Sequence, residues 1–94
     1  MNIELTLIAK PGCHLCEDAE LAIERVVSPF LAANPSASIA MKKLNILDDA
    51  ELAARYSEEI PVLLINGKVH NYWRIDEDRF ARALNDLAAS ADEK

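Results

Sequence analysis

The hydrophobic pattern of this chain changes its period at Pro11-Gly12, and that change restricts the fold more than any other feature. Residues 2–9 alternate in the manner of a β-strand with one mostly apolar face, which carries Ile3, Leu5 and Leu7. From about Cys13 onward the apolar residues recur at helical spacing instead. They form a stripe made of Cys16, Ala19, Ile23, Val26 or Val27, and Phe30. The chain is therefore predicted to begin with a strand that is followed at once by a helix.

A second strand and a second helix come next. The first helix is expected to end at residues 34–36, Asn-Pro-Ser, and residues 38–46 have the composition of a strand. Asp48 or Asp49 can cap a short helix that runs to about Tyr56. Because a helix connects the first two strands, these strands are predicted to be parallel.

Asn66-Gly67 is the strongest short signal of a β-hairpin in the sequence. Both central residues of a type I′ turn need a positive φ, which asparagine and glycine adopt most readily. The unbroken apolar run 62–65 that follows Pro61 is typical of a central strand covered on both faces. Residues 68–73 are predicted to return antiparallel to that strand.

The returning strand and the last helix lead to expectations about single side chains. Tyr72 and Trp73 are adjacent and point to opposite faces of a strand, so one of them is expected in the core. His70 is expected at the surface. Asp76 is expected to cap the last helix. The apolar stripe of that helix consists of Phe80, Ala83, Leu84, Leu87 and Ala88.

The element order β-α-β-α-β-β-α predicts an α/β sandwich, in which a mixed four-stranded sheet has helices on both faces. A chain of 94 residues has room for one hydrophobic core, so residues 1–94 are expected to form a single domain. Residues 90–94 are expected to fray. The hydrophobic fraction of 51% is too high for a disordered chain.

The charge balance argues against nucleic acid and anionic membranes as partners. Sixteen acidic residues against ten basic ones give a net charge of −6, and no basic stripe compensates. No apolar run is long enough to span a membrane, and the first residues do not form a secretory signal. We therefore expect a cytoplasmic protein. A monomer is expected as well, because no long apolar surface stripe remains once the core is assigned.

Cys13 and Cys16 are the residues most indicative of function. A lone pair of cysteines at this spacing in a cytosolic protein indicates redox chemistry or metal binding. Cys13 stands at the start of a helix, where free amides and the helix dipole stabilise a thiolate and lower the pKa of a thiol. Cys16 lies one turn later on the same side. We expect Cys13 to be the exposed nucleophile and Cys16 the resolving thiol.

Charged neighbours act on this pair in opposite directions. His14 stands between the two cysteines, and a protonated imidazole would further stabilise a nearby thiolate. The acidic residues of the first turns, Glu17, Asp18 and Glu20, oppose a low thiol pKa. No histidine stands at a spacing typical of a metal site, so no metal ligands are assigned.

Taken together, these motifs resemble a glutaredoxin of the thioredoxin-fold superfamily. The resemblance is carried by the first strand, by the run from Lys10 to Cys16, by Ile60-Pro61 before a strand, and by the Asn66-Gly67 hairpin. More narrowly, the chain is similar to a small group of bacterial glutaredoxin-like domains. The resemblance covers nearly the whole chain. It implies a thiol–disulfide oxidoreductase that acts on a disulfide-bearing protein or on glutathione, and whose cysteine pair is reduced again by a thiol reductant.

The resemblance also assigns roles outside the cysteine pair. Pro61 matches the family's cis-proline, and Ile60 the preceding residue whose backbone pairs with a substrate peptide. Lys10 matches a lysine that holds a carboxylate of glutathione. The family's Gly-Gly pair before the last helix, which clasps the other end of glutathione, is replaced by bulky residues within 72–77. Glutathione is therefore expected as a co-substrate, with no tightly bound cofactor.

Two hypotheses from other functional classes remain open at this point. The first is a soft-metal-binding module, because two thiolates just after a first strand suit Cu(I) or Zn(II). Such modules end in a strand, whereas this chain ends in an amphipathic helix, and one CxxC supplies only two ligands. The second is a thioredoxin-fold interaction protein without turnover. A weaker option is an iron–sulfur cluster shared by two chains.

Overall fold

Four strands and three α-helices follow one another in the predicted order. A computed structural model of the protein describes residues 1–92. The strands are β1 (Asn2–Ala9), β2 (Ser38–Asn45), β3 (Val62–Ile65) and β4 (Lys68–Tyr72), and the helices are α1 (His14–Ala33), α2 (Ala50–Tyr56) and α3 (Glu77–Asp92). A single 3-10 turn (Ile46–Asp48) separates β2 from α2. Residues 93 and 94 of the predicted frayed tail lie outside the described residues.

The sheet is mixed, as predicted. Its strand order is β2-β1-β3-β4. Strand β1 pairs in parallel with β2 from Asn2 opposite Ser38 to Ala9 opposite Asn45, and antiparallel with β3. Strand β4 completes the hairpin beside β3. The carboxyl ends of β1 and β2 therefore lie at the same edge of the sheet as the amino end of β3.

Helices cover both faces of the sheet, which confirms the predicted α/β sandwich. Leu7 and Ile8 point to opposite faces of β1, and both are completely buried. Helices α1 and α3 pack against each other. Tyr56 of α2 also belongs to the hydrophobic core. None of the helices within residues 1–92 combines the length and the hydropathy needed to cross a bilayer.

Local side-chain chemistry determines where α2 and α3 begin. The carboxylate of Asp49 accepts the backbone N–H groups of Glu51 and Leu52, and that of Asp76 accepts the N–H of Arg79 at 3.1 Å. The predicted cap at Asp76 is therefore confirmed. Strand β2 ends one residue earlier than predicted because the side chain of Asn45 accepts the N–H of Leu47 and starts the 3-10 turn.

The hairpin has the predicted tight turn, and a bulge follows it. Asn66 and Gly67 have φ values of 51° and 83°, which is the backbone conformation that a type I′ turn requires. Leu64 then pairs with Val69 and Leu63 with Asn71, so one residue of β4, His70, is left between them. An extra residue in one strand breaks the regular alternation of faces beyond it.

Two predictions about the end of this hairpin are wrong. Neither aromatic residue at the end of β4 lies in the core, since Tyr72 is 39% and Trp73 is 52% exposed. His70, expected at the surface, is half-buried and lies against Phe80 with 6.0 Å between the ring centroids. Its Nε2 atom is buried without a hydrogen-bond partner within the described chain. The extra residue turns His70 toward α3. Strand β4 ends at Tyr72, one residue earlier than predicted, and Trp73 has a φ of 60°, so the alternation of faces no longer applies to Trp73.

Replacing Leu84 by alanine should destabilise the protein by about 2–5 kcal/mol, because a fully buried side chain would leave a cavity between α3 and the sheet. Urea denaturation of the oxidised protein measures this loss. The matched control is Leu47→Ala, since Leu47 is 70% exposed and its truncation should cost little. Equal losses in the two variants would contradict the packing described above.

Acidification should destabilise the folded state through His70. Burial, and secondarily the charge of Arg79, lowers the pKa of His70, while Asp76 opposes this shift. The unfolded chain therefore takes up this proton at higher pH than the folded chain does. The corresponding stability is present above the ordinary histidine pKa of about 6.5 and is lost as the pH falls below it. Denaturation at several pH values should give a shallower acid slope for His70→Gln than for the unmodified protein, and equal slopes would refute the prediction.

Candidate active site

The two cysteines lie at the connection between β1 and α1, one directly before the helix and one in its first turn. Gly12 has a φ of 75°, a conformation that favours glycine, and it turns the chain from the end of β1 into the helix. Cys13 is the N-cap residue of α1, and Cys16 is in the first turn. Their sulfur atoms form a disulfide, with 5.2 Å between the two Cα atoms. This structure therefore describes the oxidised form.

The sulfur of Cys13 occupies the position of a helix cap. It accepts the backbone N–H of Cys16 at 3.2 Å, in the way that a serine or aspartate oxygen caps other helices. The free amides of a first helical turn and the helix dipole favour negative charge at this position. In the reduced protein the same arrangement would stabilise a thiolate on Cys13.

The two sulfur-bearing side chains differ in their access to solvent. Cys16 is only 5% exposed and belongs to the hydrophobic core, whereas Cys13 is partly exposed and packs at the edge of that core. An incoming disulfide can therefore reach Cys13 more easily than Cys16. This asymmetry suits a division of roles between an attacking and a resolving thiol.

The side chain of His14 lies beside a carboxylate of the same helix. Its Nδ1 atom lies 3.7 Å from Oε2 of Glu17, and both side chains are largely exposed. A protonated His14 would therefore be attracted by two negative charges, the carboxylate of Glu17 beside it and a thiolate on Cys13.

A cavity of about 370 Å³ lies beside the disulfide, on the side of the edge strand β2. Its walls include Lys10, Cys13, Cys16, Glu20, Lys43 and Asn45. Lys10 is exposed, and the two lining residues Lys43 and Glu20 form an ion pair with each other. Sequence reasoning missed Lys43 and Asn45, because only the register of β2 against β1 brings them to the cysteines.

Ile60 and Pro61 are both buried directly before β3, and the peptide bond between them is cis. The carbonyl oxygen of Pro61 accepts the backbone N–H of Trp73 at 2.8 Å. The indole Nε1 of Trp73 donates to the carbonyl oxygen of Glu58 at 3.0 Å. Trp73 is thus held against the loop before β3 by hydrogen bonds from its backbone and its indole ring, which the sequence pattern did not indicate.

Metal-ligand geometry is not evident around the pair. Among the side chains that the structure describes, those of residues 1–90, there is no group of three or more histidines, cysteines, aspartates or glutamates that could hold a metal ion. The cysteine pair by itself supplies two sulfur ligands, and a closed structural zinc site needs four ligands.

Comparison with known proteins identifies related chains. The model of the glutaredoxin-like domain (DUF836) matches residues 4–85. An uncharacterized protein of Mycobacterium tuberculosis is 24% identical over 81 residues, which is 81% of this chain and 76% of that protein. The X-ray structure of target protein XcR50 from X. campestris is 30% identical, with a TM-score of 0.62, and the match covers 87% of this chain and 96% of that one.

Two further structures extend the likeness in fold. The solution structure of protein Ne2328 from Nitrosomonas europaea has a TM-score of 0.64 at 24% identity, and the match covers 86% of this chain and 89% of that one. The oxidised thioredoxin from Plasmodium falciparum has a TM-score of 0.56 at 10% identity, over 92% of this chain and 81% of that one. The likeness of these two structures concerns the thioredoxin-like fold alone.

In the reduced protein, iodoacetamide should alkylate Cys13 at least about tenfold faster than Cys16. The Cys13 sulfur is partly exposed and accepts an amide N–H at the start of α1, whereas Cys16 is buried. Timed quenching and peptide mass spectrometry measure the two rates. In urea the chain is unfolded, and the two cysteines should then react at similar rates. Faster alkylation of Cys16 in the folded protein would contradict the asymmetry of the site.

Proposed function

Because this chain belongs to the glutaredoxin-like domain family, we propose that it is a thiol–disulfide oxidoreductase in which Cys13 attacks and Cys16 resolves. The observation that carries the proposal is the position of the Cys13 sulfur, which caps α1 and accepts the amide of Cys16 at 3.2 Å. A sulfur held in this way is a stabilised thiolate once the disulfide is reduced. The buried Cys16 is then held next to it, ready for the second step.

The reaction proceeds in two exchange steps. The Cys13 thiolate attacks one sulfur of a substrate disulfide, a Cys13–substrate disulfide forms, and the other substrate sulfur leaves as a thiolate that takes up a proton. Cys16 then loses its proton and attacks the Cys13 sulfur, which closes the Cys13–Cys16 disulfide and releases the second substrate thiol. Two electrons pass from the cysteine pair to the substrate. A thiol reductant returns them by the same exchange in reverse.

The electrostatic surroundings favour a moderately reactive thiolate. The start of α1 favours a negative charge on the Cys13 sulfur, whereas the carboxylate of Glu17, one turn further along α1, disfavours it. His14 lies beside Glu17 and, when protonated, offsets part of that negative charge. We propose that His14 acts on the site in this indirect way, as a tuning residue that does not touch the substrate.

Ile60 is the proposed contact for a substrate backbone. Neither its N–H nor its C=O takes part in a backbone hydrogen bond within residues 1–92, although the carbonyl groups of Glu59 and Pro61 on either side accept the N–H of Trp73. A free N–H and C=O on one residue can pair with an extended peptide. Pro61 places this residue at the start of β3, at the sheet edge that also carries the cysteine pair.

Glutathione is proposed as a co-substrate and not as a tightly bound cofactor. Lys10 lines the cavity beside the disulfide, where its ammonium group can meet a carboxylate. On the other side, the stretch that carries a Gly-Gly pair in glutaredoxins contains Trp73 and Arg74. The N–H of Trp73 is already donated within the protein. Only the carboxylate end of glutathione that Lys10 would bind therefore has a complementary group in this site.

Cys13→Ser should abolish reduction of a disulfide substrate, because a hydroxyl group does not carry out the exchange. Cys16→Ser should instead accumulate a mixed disulfide on Cys13, because the resolving thiol is missing. Intact-mass spectrometry after acid quenching detects the adduct, and dithiothreitol should remove it. A redox titration of the unmodified protein in glutathione buffers should show a reversible Cys13–Cys16 disulfide.

Circular dichroism controls for the fold of both variants. Unchanged turnover in the two serine variants would refute the proposed mechanism. If the Cys13–Cys16 disulfide neither forms nor breaks at any accessible ratio of reduced to oxidised glutathione, the hypothesis of an interaction protein without turnover would be favoured. Tight, stoichiometric metal uptake by the reduced monomer would instead favour the soft-metal module.

A further inference from the structure

A second groove lies between α1 and the edge strand β2. Its volume is about 590 Å³, and we call it the α1–β2 groove. The side chains used in the argument below are Leu21, Ile39 and Met41 on its apolar part and Glu17, Glu20 and Glu24 on α1. Leu21 and Met41 are 54% and 43% exposed, so the groove presents apolar surface to solvent.

The strand that borders this groove has a free edge. Strand β2 is the last strand of the sheet on its side and pairs with β1 alone among the described strands. Its outer edge therefore presents unpaired N–H and C=O groups over up to eight residues. A peptide can add to such an edge as a further strand, with its alternate side chains directed into the groove.

Charge selects the kind of peptide that fits. Three carboxylates of α1 line the groove, those of Glu17, Glu20 and Glu24, against the single ammonium group of Lys43. Lys43 is already paired with Glu20. A basic segment would meet complementary charge here, whereas an acidic segment would be repelled. The same repulsion, added to the net charge of −6, disfavours a second copy of this chain as the occupant.

The groove leads to the disulfide. The cavity beside Cys13 and Cys16 shares three lining residues with it, Glu17, Glu20 and Lys43. Asn45 lies in the cavity, and Met41 lies four positions earlier on the same strand. At about 3.3 Å per residue, an extended peptide reaches from the cysteine pair to Met41 within about four residues.

We propose that the α1–β2 groove binds an extended flank of the protein substrate, in which apolar and basic side chains alternate, while the substrate's cysteine exchanges with Cys13. This inference rests on the proposed function and adds the substrate class. The flank pairs with the edge of β2, its apolar side chains cover Leu21 and Met41, and its lysines or arginines approach the carboxylates of Glu17 and Glu24. Proteins with acidic flanks are poor substrates.

The test compares three disulfides. Two are synthetic peptides with a central cysteine, linked to a small thiol, and about four residues on each side that alternate leucine with lysine or leucine with glutamate. The third is bis(2-hydroxyethyl) disulfide, which has no flank. The lysine peptide should have a kcat/KM at least about tenfold above that of the glutamate peptide, because several charge pairs contribute together.

Two pairs of variants test whether the preference for the lysine peptide arises in the α1–β2 groove. Glu24→Lys should reduce the preference for the lysine peptide by about fivefold, whereas Asp86→Lys, which makes the same change of charge on α3, should alter it by less than about twofold. Met41→Ser should lower the kcat/KM of both peptides, while Leu47→Ser, an equally polar change outside the groove, should not. None of the four variants should change the reduction of bis(2-hydroxyethyl) disulfide.

Direct binding separates this inference from the proposed function. The lysine peptide with alanine in place of its cysteine should shift the amide resonances of residues 39–43 in the folded protein. Turnover of the small disulfide without these shifts, or without a difference between the peptides, would overturn the groove and leave the oxidoreductase intact. Shifts without turnover of any disulfide would support the groove and overturn the oxidoreductase. A dimer in sedimentation that the peptide does not perturb would overturn the proposal in favour of a second copy.

Discussion

Strand β1 pairs with two neighbours at once, in parallel with β2 and antiparallel with β3, and its last three residues, which point to both faces, are all buried. The end of such a strand has little freedom to move, because residues 5–8 are paired with a neighbouring strand on each side. The loop that follows β1 carries Cys13 to the start of α1. The cysteine pair thereby acquires a position between the end of β2 and the start of β3, and the other features of the site are arranged around it.

Helix α1 serves this site in two different ways. Its N-terminus offers free amides to the Cys13 sulfur, and this effect favours a negative charge there. Its exposed flank carries carboxylates that disfavour the same charge but can attract a basic partner. The proposed reactivity and the proposed choice of partner are thus coupled through one element, and a substitution of Glu17 would be expected to alter both.

Much of the fold could be predicted because its signals are local. Asn66 and Gly67 adopt positive φ values wherever a tight hairpin turn is needed, and Asp76 caps a helix by contacts within its own first turn. The periodicity of α1 likewise identified its buried side. The errors occurred in β4, where the bulge at His70 depends on how β3 and β4 fit together. Neighbouring residues carry no signal of that fit.

The sequence by itself determined the order of the elements, the cysteine pair at the start of a helix, and the membership of the family, since these follow from periodicity and from motifs read along the chain. Only the tertiary structure decided that Lys43 and Asn45 lie beside the disulfide. It also decided that Trp73 is hydrogen-bonded to the loop before β3 and that β2 borders an open groove. The physical reason is strand register. Residues far apart in the chain become neighbours only when the hydrogen-bonded pairing of the sheet has been chosen, and many pairings satisfy the same hydrophobic pattern.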